Sequence, residues 1–139
     1  MRHLILPALL LCAPAAEGQA LFDAIRGQYG SATDPATSCA ANPHQLDFTT
    51  SPPHAVMTWG QPKDDGVGRP RTYERYDIED YDAGTMTLEA DGDFRPDRAG
   101  GLLWVLQITQ DPPGYCWRRP DWPQVRCAEQ QLRCENATS

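Results

Sequence analysis

The chain is poor in the residues that most often reveal a chemistry. Its 139 residues include three histidines and a single lysine, Lys63. Neither a Gly-x-Ser-x-Gly elbow nor a His-Glu-x-x-His pair occurs, so the usual local signatures of a serine or zinc hydrolase are missing. No apolar run approaches the about 20 residues that a helix needs to cross a bilayer, and no transmembrane segment is expected. Positive charge is scarce: 12 Lys and Arg face 19 Asp and Glu, for a net charge of −7. Such a chain repels phosphates and anionic membrane surfaces, which excludes nucleic acid as a general partner. Closely spaced cysteines are also missing. Cys116-x10-Cys127-x6-Cys134 offers no C-x2-C chelate loop, so a structural metal is disfavoured, and no residue set implies a cofactor.

The N-terminus does carry a signal. Met1-Arg-His is a short cationic start, Leu4 to Pro14 is apolar, and Ala13-Pro-Ala15 supplies small residues at a cleavage position. Residues 1–15 read as a signal peptide, with Gly18-Gln-Ala20 as a later alternative cut. Cys12 suits a lipid anchor poorly, because Leu11 and not a small residue precedes it. Without residues 1–15, 11 basic groups against 19 acidic ones leave a net charge of −8. The near-complete use of Arg over Lys suggests a GC-rich bacterial genome, and the expected location is the periplasm or the exterior.

Removing Cys12 leaves an even set, Cys39, Cys116, Cys127 and Cys134. In an oxidising compartment four thiols are most simply two disulfides. Three pairings are possible. The favoured one joins Cys116 to Cys127 across a turn at Arg119-Pro-Asp-Trp-Pro123 and ties Cys39 to Cys134.

Proline and glycine, at 13 and 11, favour short strands and turns over long helices. Leu21, Phe22, Ile25 and Tyr29 recur at helical spacing, with Gly27 and Gly30 marking an end. Residues 31–43 read as a loop pinned by Cys39. Alternation then predicts strands at 45–50, 54–59, 71–81, 85–90, 102–109 and 115–118. In the fifth, Leu102, Trp104, Leu106 and Ile108 share one face. Residues 61–70 and 91–101 read as polar loops, the first because its prolines and glycines do not suit a strand interior. The expected fold is therefore mainly β: an N-terminal helix, then a six-stranded antiparallel meander curled into a small barrel or half-barrel and stapled by disulfides. One domain spans 21–134, and 135–139 form a tail.

Candidate chemistry is sparse. His44 could work with Asp47 on the same strand, or His54 with a strand carboxylate, in a small hydrolase or lyase. A solvated strand-end histidine is the simpler reading of each. The acidic run Asp77-Ile-Glu-Asp-Tyr-Asp82 splits its carboxylates between two strand faces, and Asp91 to Asp97 has Pro96 where a calcium loop requires glycine. Aromatic residues are more suggestive. Trp59, Trp122 and Tyr73 could stack on a flat ligand or sugar, with Arg118 and Arg119 binding its acid group.

Cys39-Ala-Ala-Asn-Pro-His44 and Tyr115-Cys-Trp117 through Asp121-Trp-Pro123 resemble segments of small exported bacterial proteins without an assigned function. That resemblance implies export and no activity. Lipocalins share a curled meander but are typically longer and carry an early Gly-x-Trp, whereas the first tryptophan here is Trp59; no lipocalin residue is carried over. The leading expectation is a non-enzymatic exported domain that binds a small molecule or an envelope protein, using the sheet face and the loops at 61–70 and 91–101. A small hydrolase or lyase at His44 or His54, and a structural or inhibitory envelope protein without a pocket, are the alternatives. The sequence sets no oligomeric state.

Overall fold

The computed structural model describes residues 15–64, 70–90, 103–123 and 126–134, with side chains from Gly18 onward. Helix α1 (Ala15–Ile25) leads into eight strands: β1 (Gly27–Ser31), β2 (His44–Thr50), β3 (Pro53–Asp64), β4 (Pro70–Tyr81), β5 (Thr85–Ala90), β6 (Leu103–Gln110), β7 (Pro113–Arg118) and β8 (Ala128–Arg133). Each strand pairs antiparallel with the next, and β8 pairs with β1, so the sheet is a closed barrel. Closure leaves no sheet edge exposed to another chain.

The expected helix, meander and disulfides are present, but six strands and a half-barrel must be corrected to eight and a closed barrel. The two added strands are the ones that close it. The helix stops at Ile25, and Tyr29 belongs to β1, where it faces the interior opposite His44 and Arg133. Its spacing from Ile25 imitates a helical turn, yet the two residues meet differently, through a 2.7 Å bond from the Tyr29 hydroxyl to the Ile25 carbonyl. Residues 61–64 are also strand. β3 continues past Pro62 because its register with β4 shifts between Thr58 and Lys63, and such an irregularity accommodates a residue that cannot donate to the ladder. The loop expected at 91–101, Leu102, the tail at 135–139 and the signal peptide up to residue 14 lie outside the described residues.

Both disulfides have the favoured pairing, Cys39–Cys134 and Cys116–Cys127. The first ties the β1–β2 connection to the end of β8. Gly30 permits that approach, since a Cβ there would collide with the Cys39 backbone nitrogen. The second lies outside the barrel, because Cys116 alternates with the inward Tyr115 and Trp117.

Alternation divides the sheet cleanly. His44, Leu46 and Phe48 face inward beside Trp59, Met57 and Ala55, and Ile78, Met86, Leu88 and Leu106 complete a buried core. Their outward neighbours are Gln45, Asp47 and Thr49 on β2, and Tyr73, Arg75 and Asp77 on β4. A polar exterior around an apolar interior is the reverse of a lipid-facing barrel. No helix among the described residues is long and apolar enough to cross a membrane.

The two ends of the barrel differ. At the end of the β2–β3 and β4–β5 turns sits α1, whose Phe22 stacks on Phe48 at 4.9 Å and meets the Tyr81 ring edge-on at 5.4 Å. Arg133 holds the helix exit by donating to the carbonyls of Ala24 and Arg26, both at 3.0 Å. Apolar side chains fill this end. At the opposite end, near Lys63 of β3 and Glu74 of β4, the interior changes character.

Candidate functional site

At the helix-distal end the inward positions of the strands become aromatic and charged. Tyr76 of β4 reaches Trp117 of β7 across the interior, with ring centroids 5.5 Å apart. Trp117 in turn meets Tyr115 edge-on at 5.6 Å. These rings form a floor above the aliphatic core.

On the helix-distal side of the floor, β3 and β4 contribute one wall. The register places Glu74 two residues above Tyr76 and on the same face, and beyond the irregularity after Thr58 the Lys63 side chain reaches Glu74 and Trp59. Lys63 Nζ lies 2.9 Å from Glu74 Oε1 and 4.0 Å from the centre of the Trp59 ring. The Tyr76 hydroxyl donates to Glu74 Oε2 at 2.8 Å. Lys63 and Glu74 are only 21% and 15% exposed, so their charges are largely withdrawn from water. Burial and the neighbouring carboxylate push the Tyr76 phenol well above its ordinary pKa, and it stays a donor. Trp59 is 5% exposed, and its indole N–H has no acceptor among the described residues. β6 and β7 supply the second wall, where the buried Arg119 guanidinium lies 4.6 Å over the Trp104 ring.

Beside the floor, His44 Nε2 is 2.6 Å from the Tyr115 hydroxyl. Burial first, and the positive charge of Lys63 second, lower the His44 pKa to about 4. At neutral pH the imidazole is uncharged and serves as a hydrogen-bond partner. Burial raises the Tyr115 phenol well above its ordinary pKa, so this pair is neutral on both sides.

The five binding residues read from the sequence do not form one cluster. Trp59 and Arg119 lie inside, on the two walls just described. Arg118 faces outward, donating to Gln107 Oε1 at 3.3 Å and to the Trp122 carbonyl at 2.7 Å, which braces the turn before Cys127. Trp122 carries the Arg126 guanidinium 3.9 Å above its ring, and Tyr73 is 52% exposed on the outer face of β4. His54 is likewise outside, 2.8 Å from the Pro52 carbonyl through Nδ1. His44 and Asp47 sit on opposite faces of β2, and Asp47 pairs outward with Arg26 at 3.2 Å. The suggested His44–Asp47 couple is therefore not assembled.

Sequence reading missed Lys63, Glu74 and Tyr76 as members of one site. The sequence pattern places Lys63 in a loop, yet as the lone lysine of an arginine-rich chain it is a signal in itself. Glu74 and Tyr76 share the inward parity of Ile78. Among the described residues no group of three or more His, Cys, Asp and Glu is placed to hold a metal ion. No protein-family model, no curated protein and no solved structure matches the chain.

Proposed function

We propose that the protein is an exported, non-enzymatic barrel that binds a small molecule at its helix-distal end. The Lys63–Glu74 pair carries this reading. A barrel of eight strands is just wide enough either to be filled by side chains or to hold one small ligand. Filling calls for apolar residues, as at the helix end, whereas taking two charges out of water carries a desolvation cost that a purely structural interior has no reason to meet. Convergent polar groups set among aromatic rings are the usual composition of a ligand site. The disulfides suit an oxidising compartment, in line with the export signal and a periplasmic or extracellular location.

Native and denaturing mass spectrometry of the exported protein, purified without unfolding, tests the reading. A bound small molecule seen only in the native spectrum, and lost in Glu74→Leu, is the expected result. Identical native and denatured masses, together with no thermal shift from a metabolite library, would count against it. A protein partner is the second reading, favoured by the exposed Tyr73 and the outward Trp122–Arg126 stack. Binding that depends on those residues and not on Glu74 would select it.

A further inference from the structure

Resting on that reading, we infer that Asn42 is a positioning residue of the helix-distal site: its side-chain amide stands in for a β-ladder pair and fixes the stretch of β3 that carries Trp59 and Lys63. The backbone ladder lapses there on both sides. Toward β4, Thr58 pairs with Tyr73 and Lys63 with Arg71, so Trp59, Gly60, Gln61 and Pro62 stand against Thr72 alone. Toward β2, the paired residues end at His44 and Trp59. Upstream of His44 comes Pro43, which has no N–H to give, and the Asn42 N–H is turned away to the Ser38 carbonyl at 3.1 Å.

Extending the β2–β3 register by two residues nevertheless brings Asn42 opposite Gln61. An antiparallel pair can exchange two hydrogen bonds, one in each direction. The Asn42 side chain makes both: Nδ2 donates to the Gln61 carbonyl at 2.9 Å, and the Gln61 N–H donates to Oδ1 at 3.1 Å. A primary amide carries a donor and an acceptor on one carbon, as a peptide group does, whereas a carboxylate only accepts and an aliphatic side chain does neither. Asn42 is itself buried, which shields the two bonds from water. Gln61 is the midpoint between Trp59 and Lys63. Trp59 is already held by its pairing with His44, so any slack in the segment falls on Lys63. The amide therefore sets whether the ammonium reaches both Glu74, at 2.9 Å, and the Trp59 ring, at 4.0 Å.

Lys63 is the chain's one lysine, so isotope-labelled lysine gives a single side-chain signal to follow. In the unmodified protein its ε-protons, held over the indole, should resonate upfield of their position in the urea-unfolded chain. Asn42→Ala removes both bonds, and Asn42→Asp keeps the shape but loses the donor. Each should abolish the upfield shift while the methyl signals of Met86 and Leu88 in the core stay in place. The small molecule that co-purifies with the unmodified protein should bind each variant about tenfold more weakly, the effect of losing one hydrogen bond to a charged group. Should neither variant fold, amide exchange in the unmodified protein decides: the Gln61 N–H should be protected as a ladder donor is, and unprotected exchange overturns the inference. A lysine signal unmoved in both variants overturns it and leaves the binding reading standing. So does a core that shifts along with the lysine, or a moved signal with unchanged affinity. An unmodified protein that carries no small molecule and gains no thermal shift from a metabolite library overturns the binding reading instead, and with it any part for Asn42 in a site.

Discussion

Lys63 Nζ lies between the Glu74 carboxylate, 2.9 Å away, and the face of Trp59, 4.0 Å from its centre. Glu74 holds the ammonium while the indole replaces part of its lost hydration. Removing one member strands the other. Lys63→Met should therefore destabilise the protein by about 2 kcal/mol, below the 3 to 5 kcal/mol of a fully buried pair because both groups retain some exposure. The double variant Lys63→Met/Glu74→Leu should recover much of that loss. Urea unfolding of the four proteins in a double-mutant cycle reads the coupling directly. Strictly additive losses would show that the two charges do not interact.

His44 ties this wall to acid stability. Its pKa is held at about 4, below the 6.5 of an unfolded histidine, by burial and by Lys63. The stability linked to the neutral imidazole is thus complete above pH 6.5 and falls as the pH drops toward 4, because the unfolded chain takes up the proton first. Across that window the loss approaches about 3 kcal/mol. In His44→Phe this component should vanish, so the stability difference between the two proteins should change by about that amount between pH 7 and pH 4. A difference independent of pH would refute the linkage.

The legible parts of the fold were those with local alternation. Strands from His44 to Arg118 show it in pairs such as Leu46 and Phe48 or Leu106 and Ile108, and alternation predicts their bounds within two residues except at the end of β3, which runs on to Asp64. β1 and β8 lack it. Gly27-Gln-Tyr-Gly-Ser31 has one large apolar residue, and Ala128-Glu-Gln-Gln-Leu-Arg133 has one near its end. Both are strands because each is the other's partner, through the Tyr29–Arg133, Gly30–Leu132 and Ser31–Gln131 register, about a hundred residues apart in sequence. Such pairing leaves no local pattern. The site was half legible for the same reason. Residue type alone points to Trp59 and Arg119, but only barrel closure decides which of the arginines and tryptophans face inward.

The two disulfides should differ in weight. Cys39–Cys134 spans 95 residues and closes β1 against β8, while Cys116–Cys127 spans 11 on the outer surface. On the chain-entropy model these are worth about 4.7 and about 3 kcal/mol. Replacing Cys39 and Cys134 by serine should lower stability more than replacing Cys116 and Cys127, as read by the midpoint of denaturant unfolding. It should also speed amide exchange in β1 and β8 selectively. Equal losses from the two pairs would mean that barrel closure gains nothing from the longer link.

The helix end yields a prediction about the mature N-terminus. Gly18 is buried against Tyr81, where a Cβ would collide with the phenol oxygen, and Gln19 Nε2 donates to Asp23 Oδ1 at 2.9 Å. Both interactions survive if the chain starts at Ala16, and both disappear if it starts at Leu21. The later start would also leave only five helical residues, too few to sustain a helix by its own hydrogen bonds. Phe22 would then be held on Phe48 and Tyr81 by a frayed segment. A protein beginning at Leu21 should accordingly be less stable than one beginning at Ala16 by about 1 to 3 kcal/mol, the usual range for loss of a packed contact. Thermal unfolding of the two purified forms measures the difference. Because the floor rings and both walls lie at the far end, ligand affinity at a temperature where both forms are folded should be unchanged. If affinity fell together with stability, the helix would be coupled to the site, and the two ends would no longer be independent.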